Sequence, residues 1–204
     1  MTKEKAKKSI ADVGYAALWT AKQHYATFDI MNSFPTIVAV ASLIISIILL
    51  AYPGIDNRLL GTCLLICSVL SLYIEKGDNE KEVYSKTANS LNSIYKELKA
   101  LHRSTTDNNV KESLAELKVI DKEMEKVCLS RQIPFLSNWL AHYNMFLVSR
   151  ENSRWFVDEL GLTLWKDKIP ESLKMIIRVF TIATIIWVIY VGVLFVKNQI
   201  CLGG

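Results

Sequence analysis

The chain alternates between stretches that are apolar throughout and stretches in which apolar residues recur at helical spacing. Two uncharged runs, 35–52 and 59–74, flank the short polar break PGIDNR, and a third occupies 179–196 between Arg178 and Lys197. Run one contains ten Ile, Leu or Val residues. As a helix it would be about 27 Å long, close to the ~30 Å hydrocarbon core of a bilayer. Those ten side chains would favour insertion by about 3–6 kcal/mol. Run two is shorter, with Arg58 placed to snorkel at one end and Tyr73 suited to the interface at the other. A buried soluble hairpin is the competing reading at this length. It needs apolar cover on every side, and the rest of the chain offers too little. The pattern therefore predicts a transmembrane hairpin over 34–74, with helices at 35–52 and 59–74, and a third C-terminal transmembrane helix over 175–197. Run one does not read as a cleaved leader, because Ala39-Val40-Ala41 sits near its start rather than after it.

Between the apolar runs the period is helical. Tyr15, Leu18, Trp19, Tyr25 and Phe28 mark an amphipathic N-terminal helix within 1–33. It lies either on lipid, with Trp19 at headgroup depth, or on the protein's own bundle. Tyr84, Ala88, Leu91, Tyr95, Leu98 and His102 form a heptad-like stripe on a helix over about 79–104. TTDNN then suits a turn and an N-cap. Val110, Leu114, Leu117, Ile120, Met124 and Val127 make one face of a helix over about 109–131. The two stripes are expected to pack on each other, with oligomerisation as the sharper alternative. Residues 132–170 are dense in aromatics (Phe135, Trp139, Tyr143, Phe146, Trp155, Phe156, Trp165), and Pro134 breaks the preceding helix. Leu136, Trp139, Leu140, Tyr143 and Leu147 mark a further helix over about 135–150, packed in the bundle or lying along the inner membrane surface.

Charge adds an orientation. Lys3, Lys5, Lys7, Lys8 and Lys22 precede run one, the 53–58 loop carries only Arg58, and the stretch between runs two and three is rich in Lys and Arg. The positive-inside rule places the N-terminus and the 75–170 region in the cytoplasm, and the 53–58 loop and the 198–204 tail outside. A net charge of +4 over 204 residues does not point to nucleic acid. The whole reads as an all-α membrane protein of a bacterial inner membrane, multi-pass, with a cytoplasmic helical bundle.

Candidate chemistry is sparse. The cysteines (Cys63, Cys67, Cys128, Cys201) form no C-x-x-C pair and the histidines (His24, His102, His142) are scattered, so no metal site is expected. No glycine-rich phosphate loop, H-E-x-x-H or G-x-S-x-G occurs, and carboxylates sit four residues from basic partners, as Glu82 does from Lys86. No catalytic residue, enzyme activity or cofactor is expected. No Asp or Glu lies within a run, which argues against a proton relay. Small polar residues do fall in rows: Ser42 and Ser46 with Ala39, Ser68 and Ser71 above Glu75, and Thr181 with Thr184. They mark either close helix packing or a weakly polar pore wall of an oligomer. Trp19, Tyr73, Arg178 and Lys197 are the expected membrane-interface anchors.

A helix GYAALWTAKQHYATFD running into a two-helix hairpin with a short outer loop, followed directly by KEVYSKTANSLNSIYKELKALH, resembles the bacterial SLATT family, the SMODS- and SLOG-associating two-transmembrane effectors. The likeness covers roughly residues 10–130. It implies a membrane effector of a bacterial defence or conflict system that forms oligomeric pores when a sensor or nucleotide-generating partner protein triggers it. Residues 34–74 would then be the membrane-damaging hairpin and 79–131 a regulatory or oligomerising stem. The lipid bilayer and further copies of the chain are the other implied partners. A third apolar run and the lack of a fused nucleotide-sensing domain depart from the simplest family layout. The alternative function is a membrane-anchored scaffold or signalling subunit whose cytoplasmic helices bind a partner protein. A small transporter is weaker, for want of a repeated half or a buried ionisable residue.

Overall fold

A computed structural model describes residues 2–51, 57–75, 78–128 and 136–202. Every element among them is helical: α1 (Lys3–Ala51), α2 (Asn57–Glu75), α3 (Asp78–Ser104), α4 (Val110–Val127), α5 (Leu136–Tyr143), a π-helical stretch (Asn144–Val148), α6 (Arg150–Leu160), α7 (Leu164–Asp167) and α8 (Glu171–Leu202). They divide into two compact units, Met1–Gly161 and Leu162–Gly204.

The first unit is built on α1. Sequence reading separates an N-terminal amphipathic helix from run one, but the structure joins them into a single 49-residue helix, about 73 Å long at 1.5 Å per residue. Pro35 lies inside it. Its ring has no N–H to donate to the Met31 carbonyl, so this turn lacks one rung of the ladder. The helix also changes character here. Met31 is the last of its buried residues, and the apolar residues that follow are exposed or half-exposed.

Below Pro35, α1 buries a stripe that includes Ala6, Ile10, Gly14, Ala17, Ala21, His24 and Thr27. Most of these side chains are small, which lets a neighbouring backbone come close. That neighbour is α3, the main partner of α1, with Tyr84, Ala88, Leu91, Tyr95 and Leu98 buried. The stripe on α3 is therefore as its sequence pattern predicts, but its chief partner is α1 rather than α4. α4 packs more lightly on α1 and α3 through Ser113, Leu117 and Ile120. Asn109 stands at the N-cap position of α4 without capping it. Its Oδ1 accepts from the Thr106 amide at 2.7 Å, and its Nδ2 donates to the Ser104 carbonyl at 3.0 Å, so the side chain ties the turn to the end of α3.

The other face of α1 is covered by α5, the π-helical stretch and α6. The expected 135–150 helix is present within the bundle, with its second half wound as a π-helix; Pro134 and Phe135 lie outside the described residues. α6 then anchors through aromatics. Phe156 is fully buried, contributing on the order of 1.5–3 kcal/mol. It meets Tyr15 edge-on at 5.7 Å, and Trp155 packs where Gly14 leaves room. The Trp155 indole N–H donates to Tyr95 Oη at 2.8 Å, and the Tyr95 hydroxyl donates in turn to the Asn152 carbonyl. Glu159 accepts from His102 Nε2–H at 3.1 Å.

In the second unit, the Asp167 carboxylate accepts from the Thr163 amide at 2.9 Å, which closes α7. Lys174 is only 4% exposed; its Nζ donates to the Lys166 carbonyl at 2.8 Å and to Glu171 Oε1 at 2.6 Å. From Met175 to Val188, α8 exposes its large apolar side chains on all sides, Phe180 at 69%.

Among the described residues, one helix, Lys3–Ala51, is long and apolar enough to cross a membrane. The apolar part of α2, Leu60–Leu72, is shorter than that. The structure thus gives the all-α class directly among the described residues.

Gly14 yields a stability test. A Cβ there would meet Trp155 Cη2 at 2.6 Å and Cζ2 at 2.9 Å, in the middle of a rigid ring. Gly14→Ala should cost about 1–3 kcal/mol of overpacking, despite the better helix propensity of alanine. The check is thermal unfolding of the detergent-solubilised protein. Combining the change with Trp155→Leu should recover part of the loss; strict additivity would show that the indole is not what alanine strikes.

Candidate functional site

The hairpin formed by the upper part of α1 and by α2 carries the feature most in need of explanation. Its buried and partly buried positions recur at helical spacing: Val38, Ala41, Ser42, Ile45 and Leu49 on α1, and Leu60, Leu64, Cys67, Ser71 and Ile74 on α2. The two helices are in contact, and these positions form their seam. All other faces are open. Ile37, Leu43, Ile47 and Leu50 on α1, and Leu65, Val69 and Leu72 on α2, are exposed, Leu50 at 85%. Soluble proteins rarely leave so wide an apolar surface bare. In hydrocarbon it has no penalty, provided that every backbone group is bonded within a helix.

The residues singled out from sequence separate on this geometry. Ser42 and Ser71 lie in the seam, whereas Ser46 and Ser68 are exposed. Ser46 Oγ donates to the Ser42 carbonyl at 2.8 Å, and Ser68 Oγ to the Leu64 carbonyl at 2.9 Å. Thr181 and Thr184, exposed on α8, donate to the Ile177 and Phe180 carbonyls, each at 2.8 Å. Thr62, which sequence reasoning passed over, does the same to the Arg58 carbonyl at 2.8 Å. Such bonds satisfy a hydroxyl within its own helix, which lowers the cost of placing it in hydrocarbon. Ser42 Oγ differs: it is buried in the seam and has no hydrogen-bond partner.

Of the expected interface residues, Trp19 sits against His142, with ring centroids 4.4 Å apart, in the part of α1 that α5 covers. Arg178 is exposed on α8. The side chains of Tyr73, Glu75 and Lys197 lie outside the described residues. Cys63, Cys67 and Cys128 are free thiols. No cluster of three metal-binding side chains occurs among the described residues.

Polar contacts fasten α1 to its neighbours beneath the hairpin. Lys22 Nζ donates to Ser149 Oγ at 3.1 Å, Gln23 Nε2 to Asn138 Oδ1 at 2.6 Å, and Tyr25 Oη to Asn89 Oδ1 at 2.6 Å. Burial holds the Lys22 ammonium below its ordinary pKa. Further down, burial pushes the Tyr95 phenol up and His102 down, the latter against the opposing pull of the Glu159 hydrogen bond. Sequence reasoning passed over the Trp155 seat; the signal that could have found it is Gly14, a glycine inside a helical pattern with no cap to make. Nothing in the sequence signals the burial of Lys174.

The seam and the open faces should respond differently to bulk. Ser42→Leu and Ser71→Leu force extra methyl groups between α1 and α2, and each should lower the unfolding midpoint in detergent by several degrees. Ser46→Leu and Ser68→Leu should leave it within about a degree. Equal effects at all four positions would show that the seam is not where the burial pattern puts it.

A family model described as SMODS and SLOG-associating 2TM effector domain 6 matches residues 1–177 of the chain. No curated protein and no solved structure matches it.

Proposed function

We propose that this chain, which belongs to the family of SMODS- and SLOG-associating 2TM effector domains, damages the membrane it sits in by assembling an oligomeric pore. The family makes it a membrane effector of bacterial conflict systems. On our reading that membrane is the inner membrane. The hairpin and α8 cross it, with the N-terminus and bundle in the cytoplasm and the C-terminus outside. A cytoplasmic sensor or nucleotide-generating partner supplies the trigger, and the protein acts without catalysis. The observation that carries this reading is the continuity of α1. One helix is core to the bundle at one end and bare apolar surface at the other, so a change in how the bundle is held is delivered to the hairpin without an intervening loop.

One observation favours the scaffold alternative. Ser46, Ser68, Thr181 and Thr184 spend their hydroxyl protons on their own helices, which suits lipid contact better than a wet wall. In that case the hairpin anchors, and the bundle binds a cytoplasmic partner.

Membrane potential separates the two. Controlled expression in cells loaded with a voltage-sensitive dye should depolarise them, and deletion of residues 79–131 should abolish the response. Exchanging the hairpin for an unrelated one of equal length should also abolish depolarisation, whereas a scaffold would keep its partner binding through the exchange. Within the pore reading, replacing Ser46 and Ser68, which lie outside the seam, together by Leu should change conductance while the protein still inserts. Unchanged conductance would remove those serines from the wall.

A further inference from the structure

The bundle encloses one imidazole completely. His24, on the face of α1 that meets α3, is 0% exposed. Its Nδ1–H donates to the Thr20 carbonyl at 2.8 Å, because a carbonyl can only accept. Nε2 therefore carries no proton in the neutral ring, and this atom is buried without a hydrogen-bond partner. The titratable group facing it from α3 is Tyr84, with ring centroids 5.9 Å apart. α5 meets the adjacent residue, Gln23, with the uncharged Asn138. On α1 itself, Lys22 is engaged with Ser149, Tyr25 with Asn89, and Asp29 is exposed. No charged side chain among the described residues bears on the ring. Burial alone holds its pKa below the ordinary 6.5, partly offset by the Thr20 carbonyl.

The position matters as much as the burial. His24 lies about two helical turns before Met31, where the buried stripe of α1 ends and the apolar hairpin begins. We propose that His24 is a protonation-operated lock on the α1–α3 contact: a proton on Nε2 drives the imidazolium out of the buried face and parts α1 from α3 beneath the hairpin. The closed bundle accepts only the neutral ring, and the opened bundle lets it titrate normally. Closure is therefore fully favoured above about pH 6.5 and is lost as pH falls below it, down to the depressed pKa of the closed state. Between pH 7.5 and 5.5 the opening equilibrium should rise from this one group, by at most about tenfold, the value for a closed ring that stays neutral throughout.

Hydrogen exchange on the full-length protein in phosphatidylethanolamine–phosphatidylglycerol nanodiscs tests the lock. Amides of α3 between residues 84 and 98 are followed at both pH values and corrected for intrinsic exchange. The wild type should open more at pH 5.5, by at most about tenfold. His24→Gln, which cannot be charged, should lose the greater part of this response and His142→Gln should keep it; because burial also holds His102 down, His24→Gln is read again in a His102→Gln background, where it should be flat. A response in His24→Gln equal to that of the wild type, or no response in the wild type, would overturn the proposal. Should His24→Gln not fold, NMR titration of ring-labelled histidine in the wild type decides. A His24 midpoint at or above 6.5 refutes the lock; a lower midpoint that coincides with the change at α3 supports it. Dye release from vesicles of the same lipids is read in parallel. Opening of α3 without release supports the lock and counts against the pore reading alone.

Discussion

The close approach of α1 and α3 is the contact on which the first unit depends. It is made possible by side chains that are nearly absent: Ala6, Ala17 and Ala21 on α1, and Ala88 on α3. Larger side chains fill the space around them, with Leu91 and Leu98 between the helices and Trp155 over Gly14. The arrangement stabilises by shape rather than by charge. Surface ion pairs such as Glu82 with Lys86 are well exposed and add little. The polar contacts that do matter, from Tyr95 to Asn152 and from Trp155 to Tyr95, orient aromatic rings that are already packed.

Above Pro35 the physical problem inverts. In the bundle, apolar residues are hidden and polar ones face outward; in the hairpin and along α8, apolar residues face outward and hydroxyls must find partners without water. The chain meets this with bonds to carbonyls one turn back, at Ser46, Thr62, Ser68, Thr181 and Thr184. Ser42 Oγ, buried in the seam, is left without one.

Much of this was legible because helical period is a local signal. The α3 stripe is buried where it was expected, and α3 and α4 begin and end within a few residues of their predicted bounds. What the pattern could not supply is the identity of the partner. A stripe shows which face is apolar, not what covers it, so α3 was matched to α4 when α1 takes most of it. The division of α1 into two helices fails for a different reason. Pro35 normally argues for a break, yet α1 runs through it at the level where packing neighbours give out. Face assignments were also too coarse. Four residues turn about 400°, so Ser46 lies some 40° round from Ser42, enough to leave the seam. α6 escaped notice because Arg150, Glu151 and Arg154 dominate its sequence, while Phe156 and Trp155 do the anchoring.

An unbroken α1 also works as a screw. Its two ends share one axis and one backbone ladder, so slipping its register by a single residue against α3 would advance the hairpin end by about 1.5 Å and turn it by about 100°. The hairpin would then present a different face of residues 36–51 to α2. The same turn would drive Val13 or Tyr15 into the space that Gly14 keeps for Trp155, so one glycine in the bundle holds the register of the hairpin at the far end of the helix.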